Sequence, residues 1–211
     1  MGKIRKGILG GFSGKVGNVV GAYWKGIAYM RSLSGSKPSS KSVKQMQQQL
    51  KFALMSQFLG RILGFVKLGF HDQAKGMTEA DAAFKHNFAD VIGGTYPAYE
   101  LLYNKFLVSK GNLELPYSPS AVVDSQSLNV SWTDNSGIGK AQDTDQAMIL
   151  VYNSAKGQAV YTLTAGARGD RQGTITLPTA WSGDSVDVWM AMNRVDTSLT
   201  SDSVYLGNFS I

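Results

Sequence analysis

Apolar residues recur at nearly helical spacing through residues 41–110. Met46, Leu50, Ala53, Leu54, Phe58, Ile62, Phe65 and Val66 follow one another close to a 3.6-residue period. They predict one helix over about 42–67, opened by Ser42-Val43-Lys44-Gln45 as a capping box. Gly60 and Gly64 weaken its second half and leave it open to a break. A second helix is predicted over about 78–93. Thr78 caps it, Glu79 and Asp81 suit its positive end, and Ala82, Ala83, Phe84, Phe88, Val91 and Ile92 supply an apolar face. Gly93-Gly94 ends it. Residues 96–108 fit either a short helix or a strand by period.

From residue 112 the pattern changes to short alternating runs, at about 113–115, 121–123, 127–133, 146–153, 158–164, 173–177, 185–194 and 203–210. Turn residues such as Asp134-Asn135-Ser136-Gly137 and Ser182-Gly183-Asp184 separate them. About seven strands at intervals near a dozen residues predict an antiparallel β-sandwich. Leu128-Asn129-Val130-Ser131-Trp132 resembles the second strand of a fibronectin type III domain, with its Trp in the core. Val186–Ala191 and Ser203–Leu206 resemble its last two strands. That resemblance implies a fold and no activity.

The first 40 residues are different again. Nine of the first 35 are glycine, a density that opposes a regular helix. Between the glycines stand β-formers, and Val19–Lys25 and Ile27–Ser32 read as two short strands around Lys25-Gly26. Ser32–Lys44, rich in Ser, Lys and Pro, reads as an exposed linker. The fold class expected is therefore α+β in three parts: a basic glycine-rich N-terminal β arm with its linker at 1–40, a helical region at 41–110, and an immunoglobulin- or fibronectin-like β-sandwich at 111–211.

Charge sharpens this division. The first 71 residues hold twelve Lys/Arg and no acid, and the first acidic residue is Asp72. Residues 76–211 carry eight Lys/Arg and fourteen Asp/Glu. The overall net charge of +6 thus conceals a basic head and an acidic body. Such a split suits binding to nucleic acid, or to the opposite end of another copy. Lys3, Arg5, Lys6, Lys15, Lys25 and Arg31 are the expected steering charges, interleaved with Tyr23, Trp24 and Tyr29 as anchors. The same cations and rings suit a phosphate backbone and stacked bases.

Enzymatic chemistry finds little support. There is no cysteine, so neither disulfides nor a Cys-based zinc site are expected. His71 and His86 lack partners at ligand spacing, and no metal or cofactor is expected. Gly10–Lys15 departs from a phosphate-binding loop: three residues separate Gly10 from Gly14, Val16 stands where Ser or Thr is needed, and no helix follows. Asp143 and Asp145 fall in a predicted loop, where a general acid–base role would need burial that nothing predicts. Arg168-Gly169-Asp170 matches the tripeptide of integrin ligands but is better read as a charged turn. Trp181, before Gly183, reads as an exposed loop residue, which raises a carbohydrate- or protein-binding module as a further reading. Met1–Lys15 lacks the apolar core of a signal peptide, and Lys6 breaks the myristoylation motif. No run of apolar residues is long enough for a transmembrane helix.

One resemblance spans the chain. Gly7–Gly21, Trp24-Lys25-Gly26-Ile27, Tyr29–Leu33, Gln49–Phe58, Gly94–Glu100, Val151-Tyr152-Asn153 and Ser203–Gly207 closely resemble a family of Bacteroidota proteins of unknown function. Ser34–Ser40 departs from it by lacking the Pro-x-Thr-Glu-x-Gln approach to the helix. The resemblance implies a bacterial or phage-like setting, and no activity, cofactor or catalytic residue. The function expected is a non-enzymatic structural protein that self-assembles through its basic N-terminal arm, as a homo-oligomer or with other subunits of a phage-like particle. Its expected location is the cytoplasm or a virion. The alternative is a nucleic-acid-binding protein using the basic residues of 1–67.

Overall fold

The computed structural model describes residues 2–4, 10–35, 40–124 and 126–211. They form two compact units, Met1–Val43 and Lys44–Ile211. In the first, β1 (Lys3–Ile4), β2 (Phe12–Val16), β3 (Val19–Trp24) and β4 (Ile27–Ser32) make an antiparallel sheet in chain order. The two strands expected around Lys25-Gly26 are β3 and β4. Lys25 and Gly26 have φ of 45° and 82°, the left-handed pair that lets a two-residue loop follow the twist of its strands. Strand β2 is not marked by the sequence pattern, because Gly14 interrupts it and Gly10, Gly11 and Gly17 flank it. Gly14 pairs with Gly21, and the Phe12 carbonyl oxygen stands 2.3 Å from where a Cβ of Gly21 would lie. The chain can fold over the sheet at that point because position 21 has no side chain.

The second unit opens with α1 (Val43–Arg61), α2 (Leu63–Gly69) and α3 (Glu79–Asn87). The single helix expected over 42–67 is thus two helices, bent by 86° about Ile62. The bend falls between the two weakening glycines, and α2 then runs so close to the later sheet that a Cβ at Gly64 would stand 1.9 Å from the Tyr161 hydroxyl. Thr78 caps α3 as expected, accepting from the Asp81 backbone N–H at 3.1 Å while Asp81 accepts from Thr78. Replacing Thr78 by Ala is expected to cost about 1 kcal/mol, measured by urea denaturation.

The helix expected over 78–93 is shorter than that. It ends at Asn87, because the Asn87 amide donates to the carbonyls of Ala83 and Leu107 and accepts from the Leu107 N–H at 2.8 Å. The chain then turns into β5 (Ile92–Thr95) and β6 (Ala98–Leu101), a hairpin whose Gly94 has φ of 76°. Gly93-Gly94 serves this strand pair rather than a helix end.

Seven further strands follow: β7 (Tyr117–Asp124), β8 (Ser127–Thr133), β9 (Gln146–Asn153), β10 (Gln158–Thr162), β11 (Gln172–Thr176), β12 (Ser185–Asn193) and β13 (Val204–Ser210). They match the expected alternating runs, except that 113–115 contributes only a bridge from Leu113 to Ser201. One antiparallel sheet has the order β10-β9-β12-β13 and the other β11-β8-β7. Leu128, Val130, Trp132 and Ile175 of the three-stranded sheet meet Ile149, Val151, Val188 and Met190 of the four-stranded one in one core, as in a β-sandwich. The opposite face of the four-stranded sheet presents Met148, Leu150, Tyr152, Trp189 and Ala191 to Met55, Phe58, Ile62, Phe65 and Phe70 of the helical segment. Strands β9 and β12 are therefore buried on both faces, and their side chains are buried almost continuously where alternating runs were expected. The helical segment and the sandwich share a core, and the unit has three layers.

Trp181 corrects an expectation. It is 1% exposed, lies in the sandwich core and donates from Nε1 to Gln158 Oε1 at 3.1 Å. It offers no ring to an outside ligand.

Candidate interaction surface

Strand register decides which N-terminal side chains share a face. Lys15, Val20 and Arg31 form one row across β2, β3 and β4. Ala22 opposes Tyr29, and Trp24 opposes Ile27. Side chains alternate along each strand, so Lys15, Arg31, Trp24, Ile27 and Tyr29 lie on one face. Trp24, Ile27 and Tyr29 are exposed there and line a shallow concavity of about 530 Å³. The Lys25 ammonium stands 5.4 Å from the Trp24 ring centroid.

The other face carries Val16, Val19, Gly21, Tyr23, Ala28 and Met30. Tyr23 donates its hydroxyl to the Gly11 carbonyl at 2.6 Å, which ties residues 10–12 to this side. The expected anchors are thus divided: Trp24 and Tyr29 stand together, and Tyr23 stands behind them. Of the other expected residues, Lys3 lies in β1 opposite Ser13, whereas Arg5 and Lys6 lie outside the described residues. Gly21 is the one fully buried residue among the described residues of this unit. Val16, Val19, Tyr23 and Met30 remain exposed.

Pattern reading missed a buried ion cluster in the second unit. Asp145 and Arg168 have fully buried side chains. Arg168 Nε donates to Asp145 Oδ2 at 3.2 Å, Nη1 to Asn135 Oδ1 at 2.5 Å and Nη2 to the Glu114 carbonyl at 2.7 Å. Arg194 Nε lies 3.6 Å from Asp145 Oδ1. Arg168-Gly169-Asp170 is therefore not a solvated charged turn, because its arginine points inward and holds three loops. No spacing signal marks this cluster, since its members are distant in sequence.

A second polar group sits on the helix-facing side of the four-stranded sheet. Buried Asp187 accepts from the Tyr205 hydroxyl at 2.6 Å and from the Asn208 amide at 3.2 Å. Burial pushes the Tyr103 hydroxyl well above its ordinary range, reinforced by Tyr152. Burial and the bond to Asp187 do the same for Tyr205. Both protons are held more tightly in the folded chain than in the unfolded one. Stability is therefore expected to be unaffected by these groups below about pH 10 and to fall as pH rises above it. Melting temperatures followed into the alkaline range check this, and Tyr205→Phe should flatten the fall.

His71 is exposed, 3.7 Å from Asp72, and His86 packs its ring 6.0 Å from that of Phe70. Among the described residues no three His, Asp or Glu side chains converge as a metal site would require. No single helix among them is long and apolar enough to cross a membrane.

Residues 11–207 match DUF6266, a family of unknown function. The chain belongs to this family. The DUF6266 match takes in β2, β3 and β4 of the N-terminal sheet as well as the whole helical segment, and leaves β1 outside it. Lys15, Trp24, Tyr29 and Arg31 fall inside the matched span, and Lys3, Arg5 and Lys6 fall before it. No curated protein compared with this DUF6266 chain matches it.

Proposed function

We propose that this chain is a non-enzymatic structural protein that self-assembles through its N-terminal sheet, as a component of a phage or phage-like particle, in the cytoplasm or on the particle itself. The observation that carries this reading is the N-terminal sheet, which leaves Val16, Val19, Tyr23 and Met30 exposed on one face and has a single fully buried residue among those described. An apolar sheet that cannot bury itself is ordered by what covers it. Strand β4 is the outer strand of the sheet, with no strand paired beyond it among the described residues and Arg31 as its sole charge, which suits strand pairing with a neighbour.

Charge supports a head-to-tail contact. Residues 1–43 hold eight Lys/Arg and no acid, whereas residues 44–211 hold thirteen Lys/Arg and fifteen Asp/Glu. The basic head of one copy is attracted to the more acidic body of the next, and such heterologous contacts build rings or filaments. In this reading the body is a fibronectin type III-like scaffold. Its first, second and fifth strands share one sheet and the third, fourth, sixth and seventh the other, the distribution that a Greek-key sandwich of that kind has.

The test is sedimentation velocity on nuclease-treated full-length protein over a range of concentrations. The parent chain is expected to associate, and a Val16→Glu, Met30→Glu variant to sediment as a monomer with an unchanged melting temperature. A parent chain that is monomeric throughout overturns the proposal.

A further inference from the structure

We infer that the opposite face of the N-terminal sheet, the one that carries Lys15, Arg31, Trp24 and Tyr29, binds single-stranded nucleic acid. The inference rests on the reading above only in taking this sheet as an interaction element, and it uses the face opposite Val16, Val19, Tyr23 and Met30. Three observations carry it.

The first is the net positive charge of the unit. No acidic residue occurs anywhere in residues 1–43. A partner rich in negative charge is favoured, and a nucleic-acid backbone supplies one charge per nucleotide. The second is the placement of the rings. Trp24 and Tyr29 are exposed on a sheet surface beside Ile27, which gives flat apolar area where bases can stack. In a duplex the base faces are already stacked on one another, so these rings select a single strand. The third is the alternation of the two chemistries. Arg31 stands two residues along β4 from Tyr29, about 6.6 Å, on the same face. Lys25 holds its ammonium beside the Trp24 ring. Each ring therefore has a cation at hand for the phosphate that accompanies a stacked base. An acidic protein surface would use the cations but would give no reason for two exposed rings between them.

The chain carries its own reporter. Trp132, Trp181 and Trp189 are 5%, 1% and 0% exposed, whereas Trp24 is 45% exposed. Quenching of tryptophan fluorescence by an added oligonucleotide therefore reads Trp24. The experiment titrates nuclease-treated full-length protein with a fifteen-nucleotide oligo(dT), with the matching duplex, and with polyglutamate. Oligo(dT) is expected to quench, with affinity falling as salt rises, and the duplex and polyglutamate to compete at least tenfold less well. In a Lys15→Ala, Arg31→Ala variant the affinity at low salt should fall at least tenfold. Its log–log salt slope should become shallower by about 1.4, which is 0.7 for each lost phosphate contact. Trp24→Leu, followed by anisotropy of a labelled oligo(dT), should bind more weakly while keeping the parent melting temperature. Absence of binding at low salt, equal binding of polyglutamate or duplex, or an unchanged affinity in both variants overturns the inference. Sedimentation of the same samples separates the two proposals: a chain that associates but does not bind oligo(dT) refutes this one alone, and a monomer that binds it refutes self-assembly alone.

Discussion

Asp145→Ala is expected to lower the unfolding free energy of the second unit by about 3–5 kcal/mol, among the largest effects of any single substitution in the chain. The Arg168 guanidinium it would strand is fully buried, and so is Asp145. Arg168 would keep its bonds to Asn135 and the Glu114 carbonyl, but no carboxylate would remain to offset its charge. The Arg168 backbone also anchors the core, since Trp132 Nε1 donates to its carbonyl at 2.9 Å. Loss of the ion pair therefore loosens the loops at residues 114, 135 and 168 together. Urea denaturation measures the loss. Replacing both Asp145 and Arg168 by Leu should cost less than Asp145→Ala alone, because it removes the buried charge along with its partner. A loss below about 1 kcal/mol for Asp145→Ala would contradict the buried cluster.

Phe58→Ala is expected to cost about 3–5 kcal/mol as well, for a different reason. Phe58 is the ring through which α1 grips the sheet. Its centroid lies 4.6 Å from that of Phe106, 4.8 Å from Tyr152, 5.5 Å from Tyr103 and 6.1 Å from Trp189. Trp189 is fixed in turn by its Nε1 bond to the Phe106 carbonyl at 3.0 Å. Truncating Phe58 leaves a cavity walled by rings that cannot collapse into it, so both transfer and cavity costs are paid. Hydrogen exchange should show the loss in β9 and β12 as well as in α1. A loss confined to α1 would mean that the helical layer is not part of the sheet's core.

The sandwich strands were legible because a strand with one wet face alternates, and turn residues mark its ends. The runs at 146–153 and 185–194 were expected to alternate and do not, because β9 and β12 are buried on both faces. The three-layer arrangement was not legible. A doubly buried run such as Met148–Val151 says that both faces are covered, but not by what. The end of α3 was misplaced because Val91 and Ile92 do point into the core, as a helical face would require, but they do so from a turn and a strand. Asn87 decides this through bonds to Leu107, a contact across the fold that local spacing does not encode.

The N-terminal surface was legible as a composition and not as a geometry. Its cations and rings could be counted in the sequence. Their division between two faces follows from a register that depends on Gly14 facing Gly21 and on two tight turns. Tyr23 and Trp24 are adjacent in sequence, and for that reason they belong to opposite sides.

The central claim is that the N-terminal sheet is a device for association and the rest of the chain a self-sufficient body. Light scattering after size-exclusion chromatography tests it most directly, on the nuclease-treated full chain and on residues 42–211, each at low and high salt. The account predicts a discrete large species or polymer for the full chain, and a folded, soluble monomer for residues 42–211 with the parent melting transition. A monomeric full chain, or a truncated chain that fails to fold, would contradict it.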